Sequence, residues 1–158
     1  MRKHVTSADA PRPIGPYSQG VAAGGFLFVS GQIPLDPHTN ALVGGGIEEQ
    51  TEQVLKNLMA VLREAKMGPD NVVKTTVFLA DLADFAKMNE VYARYLGKEP
   101  PARSTIQASA LPRGVAVEID AIELHAPRPR QHVAQWRTIA ARGRVGTWLC
   151  VPEIGERG

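Results

Sequence analysis

Two charged side chains stand where this chain could do chemistry. Arg103 follows Pro100-Pro101-Ala102 and opens a stretch, Arg103–Ser109, that reads as a strand. Glu118 is a carboxylate inside an otherwise apolar run, Val115–Leu124. An arginine offers a rigid fork of donors that matches a carboxylate in two-point contact. A glutamate can take a proton from water when its pKa and position suit. Together they suit attack by water on a small substrate that carries a carboxylate. If the two segments pair as strands, alternation could bring both side chains to one face, but the register is open. Spacing alone fits a structural Arg–Glu ion pair, or two solvated side chains, better than it fits a catalytic pair.

Other chemistries find less support. His4, His38, His125 and His132 are scattered, and Cys150 is the single cysteine, so no metal-ligand set forms. Ser30 and Ser104 have no histidine at a motif distance, which leaves a serine hydrolase unsupported. Gly44-Gly45-Gly46 lacks the spacing and the Lys-Ser/Thr ending of a phosphate loop and reads as a flexible start to a helix. Cys150 reads as an idle thiol. No residue pattern calls for a cofactor.

The elements that must position Arg103 and Glu118 come next. Gly24-Gly25 between Ser18–Ala23 and Phe26–Ser30 predicts a hairpin. Ile47–Lys66 is the clearest helix, with Ile47, Val54, Leu55, Leu58, Leu62 and Ala65 on one stripe, Glu52 and Lys56 four apart, and Gly68-Pro69 as the stop. Val72–Leu79 reads as a β-branched strand with Val73, Thr75, Val77 and Leu79 on one face. A second helix spans about Leu82–Leu96, with Asp81 as N-cap, Gly97 as stop, and Phe85, Met88, Tyr92 and Leu96 as its buried stripe. Arg103–Ser109 and Val115–Leu124 then read as two strands joined by a turn at Leu111-Pro112-Arg113-Gly114. Alternation groups Arg103, Thr105 and Gln107 on one face of the first. On the second it sets Val115, Val117, Ile119 and Ala121 toward the core and Ala116, Glu118, Asp120 and Ile122 away from it. Two amphipathic helices need one sheet face to cover, so the pattern predicts a two-layer α/β sandwich. The other sheet face is left bare, and oligomerisation is the natural way to cover it.

Bulk properties set the outer limits. The 158 residues fit one domain, residues 1–126, followed by an extension, residues 127–158, that begins at Pro127-Arg128-Pro129-Arg130 and is expected to be mobile or loosely docked. The net charge of +2 conceals a split: 12 basic and 14 acidic residues precede Arg128, and 6 arginines and 2 glutamates follow from there. The main body therefore gives no bulk electrostatic case for nucleic acid. No apolar stretch approaches the roughly 20 residues of a membrane span, and no apolar stretch follows Met1-Arg2-Lys3-His4, so neither a membrane segment nor a secretory signal is expected. With one cysteine the fold does not rely on oxidation, and a cytoplasmic protein is the expectation.

Several motifs in one order add a family. Ile14-Gly15-Pro16-Tyr17-Ser18-Gln19, Phe28-Val29-Ser30-Gly31-Gln32-Ile33, Asn71–Leu79, Met88-Asn89-Glu90-Val91-Tyr92, Pro101-Ala102-Arg103-Ser104-Thr105, Leu111-Pro112 and Val117-Glu118-Ile119-Asp120-Ala121 resemble the reactive-intermediate deaminase (RidA, YjgF-type) family over about residues 5–125. The resemblance implies a chorismate-mutase-like fold, a mixed sheet packed against two helices, and a homotrimer with ligand clefts between subunits. It implies hydrolysis of 2-imino acids or their enamine tautomers, intermediates of pyridoxal-phosphate enzymes, to 2-oxo acids and ammonia, without a cofactor or a metal. It assigns carboxylate binding to Arg103 and positioning of the attacking water to Glu118. Tyr17, Ser30, Gly31 and Asn89 match residues lining the family's cleft. Thr105 stands where many members carry cysteine, which removes a thiol and keeps a small hydrogen-bonding group. Residues 127–158 depart from the family pattern. Two other classes of function compete: a non-catalytic trimeric sensor of small oxo acids, and an RNA-binding or endoribonuclease protein that would draw on the arginine-rich tail.

Overall fold

The computed structural model describes residues 1–125. The expected extension, including Cys150 and the boundary at Pro127, lies outside the described residues. Six strands form one mixed sheet: β1 (Lys3–Val5), β2 (Gly20–Ala23), β3 (Phe26–Gln32), β4 (Val72–Leu79), β5 (Ala102–Gln107) and β6 (Val117–Leu124). Their spatial order is β1-β2-β3-β6-β4-β5, and only β4 and β5 run parallel. Helices α1 (Ile47–Glu64) and α2 (Phe85–Leu96) pack on one face of it. This is the two-layer α/β sandwich that the pattern predicts.

Local chemistry explains most of the elements. Gly24 and Gly25 both hold positive φ, as the tight β2–β3 turn requires. The first turn of α1 is capped from within, since the Glu49 carboxylate accepts the Gly46 N–H at 2.8 Å. That carboxylate also meets the helix dipole, so the glycine-rich stretch before α1 already has its anion. Lys56 and Glu52 pair at 3.5 Å. The helix stops before Gly68-Pro69, because Lys66 takes a left-handed φ of 59° and the Met67 N–H closes on the Leu62 carbonyl at 2.9 Å. Asp81 caps a short 3-10 turn, Leu82–Asp84, that leads into α2.

The core lies between helices and sheet. Val54, Leu55, Leu58, Val61 and Leu62 of α1 meet Leu27 and Val29 of β3, Val77 and Leu79 of β4, and Val117, Ile119 and Ala121 of β6, all buried. Three expectations change. In β4 a register shift between Val72 and Lys74 turns Val72, not Val73, into the core. In α2 Phe85 stays 40% exposed while Val91 joins Met88, Tyr92 and Leu96 inside. Most consequentially, β5 and β6 are not neighbours, because α2 carries the chain so that β5 lies parallel beside β4, and β6 then inserts between β3 and β4.

Candidate active site

Register decides where Arg103 and Glu118 point. Arg103 lies beside Thr75 on β4, and Thr75 lies beside Ala121 on β6. In-register neighbours share a face, and both Thr75 and Ala121 are buried under the helices. Glu118 is three residues from Ala121, an odd number, so it points to the opposite face. The two residues are therefore on different sides of the sheet, with β4 between their strands. Within one chain they cannot form the ion pair that spacing alone allowed.

Each instead belongs to its own cleft. On the helix side, Asn89, Tyr92, Ala93 and Leu96 of α2 with Gly97, Pro100, Pro101 and Arg103 enclose about 340 Å³. The Arg103 guanidinium carbon sits 4.7 Å from the centre of the Tyr92 ring and 5.5 Å from that of Phe85. Thr105, two residues on, shares this face, and its buried Oγ1 has no hydrogen-bond partner among the described residues. Burial pushes the Tyr92 phenol above its ordinary pKa, against the opposing pulls of its Thr75 hydrogen bond and the Arg103 charge, so it stays neutral.

On the open side, Ile14, Tyr17, Ser30, Gly31, Ile33, Pro112 and Glu118 enclose about 240 Å³. A β-bulge builds this cleft. Val29 pairs with Ala121 and Gln32 with Ile119, so Ser30 and Gly31 together face the single residue Asp120. The extra residue brings the Gly31 backbone against Glu118, where a Cβ would collide with the carboxylate. Ser30 is spent on structure: its hydroxyl donates to the Ser18 carbonyl at 2.7 Å, and its N–H to the Gln19 carbonyl at 3.0 Å. Gln19 is buried and straps the preceding loop. Its Oε1 accepts the Ser7 N–H at 2.6 Å, and its Nε2 donates to the Pro11 carbonyl at 2.9 Å. That strap sets the base of the segment carrying Ile14 and Tyr17, and Tyr17 stays 47% exposed at the mouth. Burial, and then the negative charge of Asp120, raise the Glu118 pKa above its ordinary value.

All seven residues singled out from sequence fall in or beside these two clefts: Arg103, Asn89 and Thr105 on the helix side, and Tyr17, Ser30, Gly31 and Glu118 on the open side. Sequence reasoning missed the two rings over Arg103, having assigned Phe85 and Tyr92 to the core stripe. It missed the bulge, for which composition carries no signal. It also passed over Glu123, which is fully buried on the helix side of β6. Neither carboxyl oxygen of Glu123 has a hydrogen-bond partner among the described residues. Desolvation, and then Asp120, push its pKa to about 8.

A two-layer sandwich with a mixed sheet carries a cleft around Arg103 on one side and a cleft around Glu118 on the other, each of a size for a small ligand. A family model described as Endoribonuclease L-PSP matches residues 7–124, and the chain belongs to that family, the YjgF/RidA family. It is 52% identical over 122 residues to a RutC family protein of Pyrococcus horikoshii, covering 77% of this chain and 97% of that one. It is 47% identical over 127 residues to the 2-iminobutanoate/2-iminopropanoate deaminase of Mus musculus, covering 80% and 94%. Among solved structures, RidA from an Antarctic Psychrobacter superposes with a TM-score of 0.74 at 40% identity, covering 77% of this chain and 98% of that one.

Proposed function

We propose that this protein is a 2-imino acid deaminase, acting on 2-iminobutanoate- and 2-iminopropanoate-type substrates in clefts shared between the subunits of a homotrimer. The observation that carries the proposal is the split site. One chain presents a cation for a carboxylate on one side of its sheet and a proton acceptor for water on the other. Each half is incomplete until a neighbouring copy supplies the missing one. The open sheet face favours such an assembly, since Phe28 and Ile106 are 46% and 49% exposed there. The relatives named as 2-iminobutanoate/2-iminopropanoate deaminases support the substrate class.

The reaction needs no covalent intermediate on the protein. Arg103 holds the substrate carboxylate by two parallel hydrogen bonds. Glu118 of the neighbouring copy takes a proton from water as the water oxygen bonds to the imine carbon and the C=N electron pair moves to nitrogen. With the imine nitrogen protonated at the outset the adduct is a neutral carbinolamine; return of the proton to nitrogen lets it leave as ammonia while Glu118 takes the hydroxyl proton and the carbonyl forms, giving a 2-oxo acid. The imine carbon is already electrophilic, so orientation and general base action supply the acceleration. Tyr17 lines the open-side cleft, Asn89 and Thr105 the Arg103 side, and the raised Glu118 pKa brings the base nearer to neutrality.

The test couples a threonine dehydratase to the protein and follows loss of 2-iminobutyrate with release of ammonia and 2-oxobutyrate. Acceleration by the full-length chain, lost in Arg103→Ala with the fold intact, is the expected result. No acceleration across several amino-acid-derived imines sinks the proposal.

A further inference from the structure

The Arg103 charge does not stand alone in its cleft. Its guanidinium lies over Tyr92 at 4.7 Å and over Phe85 at 5.5 Å, both within the range of cation–ring attraction. Tyr92 is itself fixed. It is buried, and its hydroxyl meets the Thr75 Oγ1 at 2.7 Å. Thr75 is fully buried and is the β4 residue in register with Arg103. The chain thus joins Arg103 to its own strand neighbour by a second route, through a ring on α2. Phe85 is the member of the α2 stripe that forgoes core burial, at 40% exposure, and the ring it leaves exposed lies under the guanidinium.

An arginine on an edge strand has four rotatable bonds, and two-point recognition of a carboxylate requires the fork to be aimed. We infer that Tyr92 and Phe85 are positioning residues that hold the Arg103 guanidinium in its carboxylate-binding pose, with Thr75 fixing the Tyr92 ring. This rests on the reading of Arg103 as the carboxylate clamp. The rings attract the charge of the guanidinium and so restrain its position. They are preorganisation for binding and take no part in the proton transfers assigned to Glu118.

The experiment measures 2-oxobutyrate binding by calorimetry and imine hydrolysis kinetics on the full-length chain and its variants. Phe85→Leu and Tyr92→Leu are each expected to weaken 2-oxobutyrate binding and raise KM on the order of 10-fold, as loss of a partly desolvated cation–ring contact implies. kcat should stay within about threefold, because only ground-state and transition-state binding in common is lost. Tyr92→Phe keeps the ring and should recover most of the binding. Tyr92→Phe and Thr75→Val should each cost only a few-fold, and the double variant no more than either single, since both remove one hydrogen bond. If Tyr92→Leu fails to fold, half-exposed Phe85→Leu and the conservative Tyr92→Phe still decide the matter. Wild-type binding in a folded Phe85→Leu, or a loss confined to kcat, overturns the inference while imine hydrolysis by the wild type stands. Conversely, Arg103-dependent 2-oxobutyrate binding that weakens in the ring variants, in a protein that accelerates no imine hydrolysis, upholds the clamp and sinks the deaminase reading alone. A wild type that does not bind 2-oxobutyrate overturns the inference.

Discussion

Arg103 lies on an edge strand with its charge against two aromatic rings, whereas Glu118 lies on an interior strand with its charge against a glycine and near a second carboxylate. The first setting restrains the guanidinium by attraction to two rings. The second disfavours the ion by burial and like charge. The binding group is thus held in place and the proton acceptor is kept less acidic, which is the division of labour that the proposed imine hydrolysis needs. The two settings also differ in how they are made. One depends on α2 packing over the edge of the sheet. The other depends on a one-residue bulge in β3. Nothing in one chain requires them to meet, so the comparison can be broken by asking whether they must come from different copies.

The largest effect follows from that question. Arg103→Ala and Glu118→Ala should each be inactive in imine hydrolysis. Co-refolding them in equal amounts should return activity at about one quarter of the sites, the fraction at which a random symmetric assembly joins an intact Arg103 half to an intact Glu118 half. Activity of the mixture, read against separately refolded controls, is the measurement. No recovery from a mixture that demonstrably exchanges subunits would place both groups in one chain's site and end the split-site account.

Gly31→Ala should separate the halves more finely. The added Cβ collides with the Glu118 carboxylate and forces it, or the bulge, to move. Misplacing a general base costs on the order of 10²-fold in rate. Arg103 itself lies on the other side of its own chain's sheet and keeps its hold on the carboxylate, so 2-oxobutyrate binding should fall much less than the rate. A loss of binding equal to the loss of rate would show that the two halves are mechanically coupled.

How much of this could be read from the chain depends on the range of the interaction. The helix α1 and the strand β4 follow from local periodicity, and their limits agree with the sequence to within a residue or two. The neighbour relations of β5 and β6 do not. Consecutive strands often pair, but here a helical crossover takes β5 to the far side of β4, and only long-range register shows that Arg103 and Glu118 face opposite ways. The family motifs pointed to residues that fall in or beside the two clefts without supplying that geometry, since a motif records identity and not orientation. Glu123 is the reverse case. It follows Ile119 and Ala121 at even spacing, so alternation alone places it in the core.

Glu118 and Glu123 therefore compare the two faces of one strand. Glu123 faces a closed core with no compensating partner among the described residues, and its pKa stands at about 8 against an ordinary 4.5. Between those values the unfolded chain releases a proton that the folded chain retains. Stability then falls as pH rises from about 4.5 to about 8, by at most about 1.4 kcal/mol per unit, and levels off above. Glu123→Gln cannot ionise, so it should flatten this slope and melt higher than wild type at pH 9. Thermal midpoints from pH 5 to 9 test this, and parallel slopes in the two proteins would refute it.

The smallest effect concerns Asp120, which lies two residues from Glu118 on the same face of β6 and accepts the Thr76 N–H through Oδ1 at 3.1 Å. At that separation like charges repel, and Asp120 is the second cause of the raised Glu118 pKa, after burial. Asp120→Asn keeps the shape and the acceptor for Thr76 while removing the charge. Glu118 should then lose its proton at lower pH, since the like charge is gone while burial remains. If Glu118 in its ionised form is the base, the acid limb of the rate profile moves down with it, and the variant gains a few-fold in rate on that limb alone. Substrate protonation is common to both proteins and cancels in the comparison. An acid limb that stays in place in Asp120→Asn would mean that the limb belongs to the imine and not to Glu118.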